Sequence, residues 1–126
     1  MKKKIAILGS TGSIGKTLIE IIKKDKKNFD IILLTADNNY KEILKQAKIF
    51  NVKNLIITNK KSFTELKKKD LGSINIFNNY DSYNMIFKKK IDYAMSSISG
   101  ICGLEPTIKI IKHTKKIAIA NKEAII

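Results

Sequence analysis

The chain has 126 residues, 44% of them hydrophobic and 29% charged, and a net charge of +14 carried by 25 lysines with no arginine. That balance suits one folded domain and excludes a disordered, collagen-like or proline-rich chain. No apolar run approaches the roughly 18–20 residues of a membrane span, no signal peptide is expected behind Met1-Lys2-Lys3-Lys4, and the lone Cys102 cannot form an internal disulfide, which fits a reducing, cytoplasmic setting.

Taken in chain order, Lys4–Leu8 (KIAIL) reads as a short strand ending at Gly9. From Ser13 to Lys24, Ile14, Leu18, Ile21 and Ile22 fall at helical spacing and are expected to share the apolar face of a first helix. Phe29–Ala36 (FDIILLTA) is apolar and lacks alternation, as in a strand covered on both faces of a parallel sheet. A second helix carries Tyr40, Ile43, Leu44 and Ala47, and Asn54–Thr58 is a third strand. A lysine-heavy helix over Ser62–Lys69, a strand over Ser73–Phe77 and a short helix around Tyr83, Ile86 and Phe87 follow. Ile91–Ser96 is the fifth strand, Leu104, Thr107, Ile108 and Ile111 mark a helix with Pro106 in its first turn, and Lys116–Ala120 is the sixth strand. Strand and helix alternating at this spacing predict an α/β fold with a doubly wound parallel sheet of about six strands, the Rossmann-like nucleotide-binding topology. The sixth strand runs into a further apolar stretch, Ala124-Ile125-Ile126, as expected of a piece of a longer protein.

The strongest local signal is Gly9-Ser10-Thr11-Gly12-Ser13-Ile14-Gly15, between the first strand and the first helix. Such a turn needs a residue free to take a positive φ, and a pyrophosphate can approach the backbone closely where no Cβ stands, as at Gly12. The third glycine is expected to let the helix pack close to the strand, and the helix N-terminus offers unpaired amides and a positive dipole end to phosphates. Thr11 and Ser13 add hydroxyls. The spacing is GxxGxxG rather than GxGxxG, and the four-residue gap of a P-loop is absent although Lys16-Thr17 follows. An acidic residue at the end of the second strand ordinarily binds a ribose 2′-OH. Asp37 stands there, ahead of Asn38, Asn39 and Lys41, and read literally it favours NAD; the same stretch also serves as a turn and helix cap.

A second group follows the fifth and sixth strands: Ser97 to Gly103, then Asn121, Lys122 and Glu123. Both lie on the edge that carries the glycine loop, where ligands bind in this fold. An amide, a cation and a carboxylate in succession suit a nicotinamide ribose and an anionic substrate, or else a capped helix start. His113 is expected to be structural at a helix C-terminus, and Cys102 to be a small buried residue. No cluster has metal-ligand spacing. The scattered lysines read as a solvated surface.

ILGSTGSIG at residues 7–15, the apolar segment and Asn pair ending at Asn39, SGICGLEPT at 99–107 and IANKEAI at 119–125 together resemble the 1-deoxy-D-xylulose 5-phosphate reductoisomerase family, in order along the whole chain. The resemblance implies NADPH as cofactor and a divalent metal, Mg or Mn. It implies rearrangement of 1-deoxy-D-xylulose 5-phosphate through an aldehyde and reduction to 2-C-methyl-D-erythritol 4-phosphate in isoprenoid synthesis. By resemblance, Thr11, Gly12, Ser13 and Ile14 contact the cofactor phosphates, and Asn38 and Asn39 sit by the adenosine ribose. Asn121 and Glu123 face the nicotinamide, and Lys122 reaches the substrate. The family usually has glycine where Asp37 stands and often a basic residue where Asn38 stands. Its metal carboxylates and mobile substrate loop lie beyond the Ala-Asn-Lys-Glu motif. Residues 1–126 are therefore expected to be an NADPH-binding domain with no catalytic or metal-ligating residue, inactive by itself, within a full-length homodimer. The alternatives are a lysine-rich α/β module for a polyanion such as nucleic acid, and another NAD(P)-dependent dehydrogenase, whose Tyr-xxx-Lys pair is absent here.

Overall fold

The computed structural model describes residues 2–98 and 100–119. Among the described residues the chain alternates β1 (Lys3–Leu8), α1 (Ser13–Lys23), β2 (Phe29–Ala36), α2 (Tyr40–Phe50), β3 (Asn54–Ile57), α3 (Lys60–Lys67), β4 (Asn75–Phe77), α4 (Tyr83–Ile86), β5 (Ile91–Ser96), α5 (Leu104–Ile110) and β6 (Thr114–Ile119). The six strands form one sheet in the order β4-β3-β2-β1-β5-β6, and every neighbouring pair is parallel. The winding reverses at β1, with β2 to β4 on one side and β5 and β6 on the other. This is the doubly wound, Rossmann-like arrangement expected from the sequence, and its switch point lies between β1 and β5. No helix among the described residues is long and apolar enough to cross a membrane.

Side chains alternate along β1, so Ile5 and Ile7 enter one core and Ala6 and Leu8 the other. The first core takes Ile19 and Ile22 of α1, Ile43 and Ala47 of α2, and Leu66 of α3. The second takes Tyr83, Phe87 and Ile110 from the α4 and α5 side. Along β2 the alternation breaks: Ile31 and Leu34 belong to the first core, while Leu33, with Ile32 packed nearby, belongs to the second. The cause is a register shift, since Ile5 pairs with Ile31 but Ala6 with Leu33.

Two helix faces differ from expectation. In α1 the buried residues are Gly15, Ile19 and Ile22, whereas Ile14 and Ile21 are 42% and 59% exposed. In α5 the buried residues are Pro106, Thr107 and Ile110, and Leu104 and Ile108, with Ile111 just after the helix, face outward. Polar contacts set the phase of α5: Ser96 Oγ and Thr107 Oγ1 lie 2.7 Å apart, and the Tyr83 hydroxyl donates to the Pro106 carbonyl at 3.3 Å. Gly103 fixes it further, because a Cβ there would lie 2.6 Å from the Ile98 carbonyl oxygen. His113, in the 3-10 turn Ile111–His113 after α5, stacks against Phe87 with centroids 5.3 Å apart and meets Tyr83 edge-on at 6.0 Å. Burial, then the neighbouring Lys112 charge, hold its pKa below the usual histidine value.

Candidate functional site: a cleft at the sheet switch point

The loop after β1 is held from both sides. Gly9 takes φ +78°, and its N–H donates to both the carbonyl and the hydroxyl oxygen of Thr35, each at 3.0 Å. Ser10 N–H reaches the same Thr35 carbonyl at 2.9 Å. From the β5 side, the Ser97 hydroxyl donates to the Leu8 and Gly9 carbonyls, both at 2.9 Å. A Cβ at Gly9 would lie 2.8 Å from Ile98 Cγ1. Positive φ and close approach therefore both demand glycine at this position.

Gly12 is the N-cap of α1, with φ −76° and ψ 176° and no side chain to cap the helix. The first helical bond runs from Lys16 N–H to the Gly12 carbonyl at 2.8 Å. The amides of Ser13, Ile14 and Gly15 find no acceptor among the described residues, so the positive end of the helix is open to an anion. A Cβ at Gly12 would meet only the Gly9 carbonyl oxygen, at 3.8 Å. At Gly15 a Cβ would run into that oxygen and come within 2.7 Å of Ser10 Cα. The third glycine thus seats the helix on the loop's own backbone rather than along the body of β1.

In front of this loop lies a cleft of about 620 Å³ along the carboxyl edge of the sheet. Gly9, Thr11 and Gly12 form one wall, and Asp37 and Asn38 continue it past β2. Thr58 after β3 and Asn78 to Asp81 after β4 close the adjacent end, and Ile98, Cys102, Glu105 and Lys109 the β5 side. The Thr58 hydroxyl donates to the Asp37 carboxylate at 2.7 Å. Burial, reinforced by the Asp37 and Glu105 charges, pushes the Tyr80 hydroxyl up to about 12, so it stays protonated. Lys109 bridges Glu105 and Asp81, both at 2.9 Å; hydrogen bonds to the two carboxylates raise its pKa. Lys109 is thus the one lysine lining the cleft among the described residues, and it is engaged by carboxylates.

Of the sequence-predicted site residues, Thr11, Gly12 and Asn38 line the cleft, and Ser13 and Ile14 supply the amides beside it. Asn39 plays a structural part, since its Oδ1 accepts the Glu42 N–H at 3.2 Å and caps α2. Asn121, Lys122 and Glu123 lie outside the described residues. Cys102 corrects an expectation, being exposed on the cleft rather than buried, because the 3-10 turn Ile101–Gly103 buries Gly103 instead. Sequence reasoning missed Thr58, Asn78, Tyr80, Glu105 and Lys109. The first three follow the ends of β3 and β4, and that position was their only signal. Among the described residues no group of three or more His, Cys, Asp or Glu side chains could hold a metal ion. The donors here do not fit one, and no metal-assisted step is assigned to them.

A family model described as 1-deoxy-D-xylulose 5-phosphate reductoisomerase matches residues 5–126. The enzyme of that name from Pelagibacter ubique (strain HTCC1062) is 59% identical over 129 residues, covering 98% of this chain and 33% of its own. The one from Phocaeicola vulgatus is 37% identical, covering 100% and 34%. Among solved structures, the reductoisomerase from Zymomonas mobilis in complex with NADPH aligns with a TM-score of 0.88 at 30% identity, over 99% of this chain and 33% of that one. A reductoisomerase in complex with NADPH, fosmidomycin and magnesium aligns with a TM-score of 0.86 at 28% identity, over 98% and 31%. The chain thus spans about a third of the length of these relatives.

Proposed function

The chain belongs to the 1-deoxy-D-xylulose 5-phosphate reductoisomerase family, and we propose that residues 1–126 are that family's NADPH-binding domain. The observation that carries this reading is the cleft of about 620 Å³ opening on the unpartnered amides at the start of α1. The Ser13, Ile14 and Gly15 amides and the half-buried Thr11 hold the pyrophosphate, and Gly12 leaves it room. Asn38 lies at the adenosine end, with Asn39 fixing its loop by capping α2. Asn121 and Glu123 take the nicotinamide side and Lys122 the substrate. NADPH, when bound, supplies a hydride. The chain's own part is to grip the phosphates and orient the dinucleotide along the strand ends.

Within the full-length enzyme, the reaction is the rearrangement and reduction of 1-deoxy-D-xylulose 5-phosphate to 2-C-methyl-D-erythritol 4-phosphate. Mg or Mn is held by residues outside this chain, and the enzyme acts as a homodimer. The exposed thiol of Cys102 suits a reducing compartment, and the cytoplasm is the location assigned. The polyanion alternative finds no support, since the relatives above are reductoisomerases and the described cleft walls carry Asp37, Asp81 and Glu105 against Lys109 alone.

The test is titration of the chain with NADPH, followed by cofactor fluorescence. Saturable enhancement, displaced by NADP⁺, is expected; oligonucleotide binding without any NADPH response would reverse the assignment. The Asp37 carboxylate gives a second expectation. It stands at the adenosine end of the cleft and opposes a 2′-phosphate. Asp37→Gly should raise affinity for NADPH about five- to tenfold relative to NADH, the scale of one partly screened charge. Competitive titration of the two cofactors measures it. A fall in NADPH affinity would mean that the Asp37–Thr58 contact matters more for holding the turn.

A further inference from the structure

We propose that Gln46, a residue outside the cleft, is a positioning residue that aims the Thr11 amide at the cofactor phosphates; this rests on the NADPH-binding reading above. Gln46 sits in the middle of α2, between Ile43 and Ala47 on the buried face, and is 1% exposed. Its Nε2 donates to the Ser10 carbonyl, 36 residues back, at 3.0 Å, and to Glu42 Oε2 at 3.2 Å. Both N–H groups of the amide are therefore used. Its Oε1 is buried and has no hydrogen-bond partner among the described residues. The orientation is settled by these neighbours, since a flipped amide would press an oxygen against a carbonyl and a carboxylate. A buried glutamine with both donors bonded and its acceptor bare is held there for its donors. An apolar side chain would fill the same space without the desolvation penalty.

What those donors accomplish follows from peptide planarity. The carbonyl of Ser10 and the N–H of Thr11 belong to one trans peptide unit and point in opposite directions. Ser10 is fully buried, and Gln46 draws its carbonyl inward. The Thr11 N–H is thereby turned outward; Thr11 lines the cleft, and its N–H has no acceptor among the described residues. The same helix is capped by Asn39 through Glu42 N–H, and Glu42 in turn accepts from Gln46. One rigid helix thus carries the adenosine-side loop at its start and steadies the phosphate loop from its middle.

The experiment compares NADP⁺ and 2′-AMP, which lacks the pyrophosphate, on the 126-residue chain. Gln46→Met keeps the volume and removes the donors. It should weaken NADP⁺ about tenfold, the scale of losing one hydrogen bond that orients a phosphate donor, and leave 2′-AMP affinity unchanged. Gln46→Glu places a carboxylate against the Ser10 carbonyl at pH 8 and should weaken NADP⁺ at least as much. At about pH 5.5, where a buried glutamate is protonated and donates again, its affinity should recover toward that of the unaltered chain at the same pH. Unchanged NADP⁺ affinity in Gln46→Met, or equal weakening of both ligands, would overturn the proposal. If Gln46→Met does not fold, the pH comparison within Gln46→Glu decides, and absence of recovery overturns it. If the unaltered chain binds 2′-AMP but not NADP⁺, the proposal fails; if it binds neither, the NADPH-binding reading itself fails.

Discussion

Gly12→Asp should lower NADPH affinity at least about a hundredfold, the order of losing two charge-assisted contacts, while leaving the fold as stable as before or up to about 1 kcal/mol more stable. The two effects have opposite signs because they use the same donors. Gly12 already has the extended dihedrals of an N-cap, φ −76° and ψ 176°, which any L-residue adopts. A Cβ there meets only one carbonyl oxygen at 3.8 Å. The new carboxylate would accept from the open amides of the first turn and offset the helix dipole. Those are the groups assigned to the pyrophosphate, and the added negative charge repels it as well. Gly12→Leu should also block the cofactor, by bulk alone. Paired NADPH titration and urea unfolding separate affinity from stability. Undiminished affinity in Gly12→Asp would end the assignment of this loop to phosphates.

Gly15→Ala should destabilise the chain by about 3 kcal/mol, although the same change inside an exposed helix ordinarily stabilises by roughly 0.5–1 kcal/mol. The reversal comes from what surrounds the position. The added carbon would collide with the Gly9 carbonyl oxygen and the Ser10 backbone. These are main-chain atoms anchored by Thr35 and Ser97, with no flexible side chain to swing aside. The urea midpoint should fall and the slope should stay unchanged. An unshifted midpoint would show that α1 can slide away from the loop. A Cβ has room at Gly12 and none at Gly15, so the two substitutions should separate ligand binding from folding.

Strands were the most legible part of the sequence. Phe29–Ala36 and Ile91–Ser96 agree with β2 and β5 residue for residue; in β2 the signal is the apolar run Ile31–Leu34, as expected of a strand covered on both faces. The third helix starts at Lys60 rather than Ser62, since Asn59 Oδ1 accepts the Ser62 N–H at 2.9 Å and opens the helix earlier. Helix faces were less legible. α1 carries Ile14, Leu18, Ile19, Ile21 and Ile22, spread over an arc of about 160° at 3.6 residues per turn, so two overlapping faces satisfy the periodicity equally well. Gly15, which must meet the loop, selects the one with Ile19 and Ile22. In α5 a serine–threonine contact and a close-packed glycine make the same choice.

The order of amino acids alone settles the alternation of strands and helices, the parallel sheet, the glycine turn and the family, since each rests on short-range pattern or on residue identity. Packing decides which side of each helix faces inward, and it brings Thr58, Asn78 and Tyr80 to the cleft from strands far along the chain. It also gives Gln46 its grip on Ser10 across 36 residues. Local periodicity records how much of an element is buried, but not against what. A hydrogen bond between distant segments exists only once the sheet order has placed them side by side.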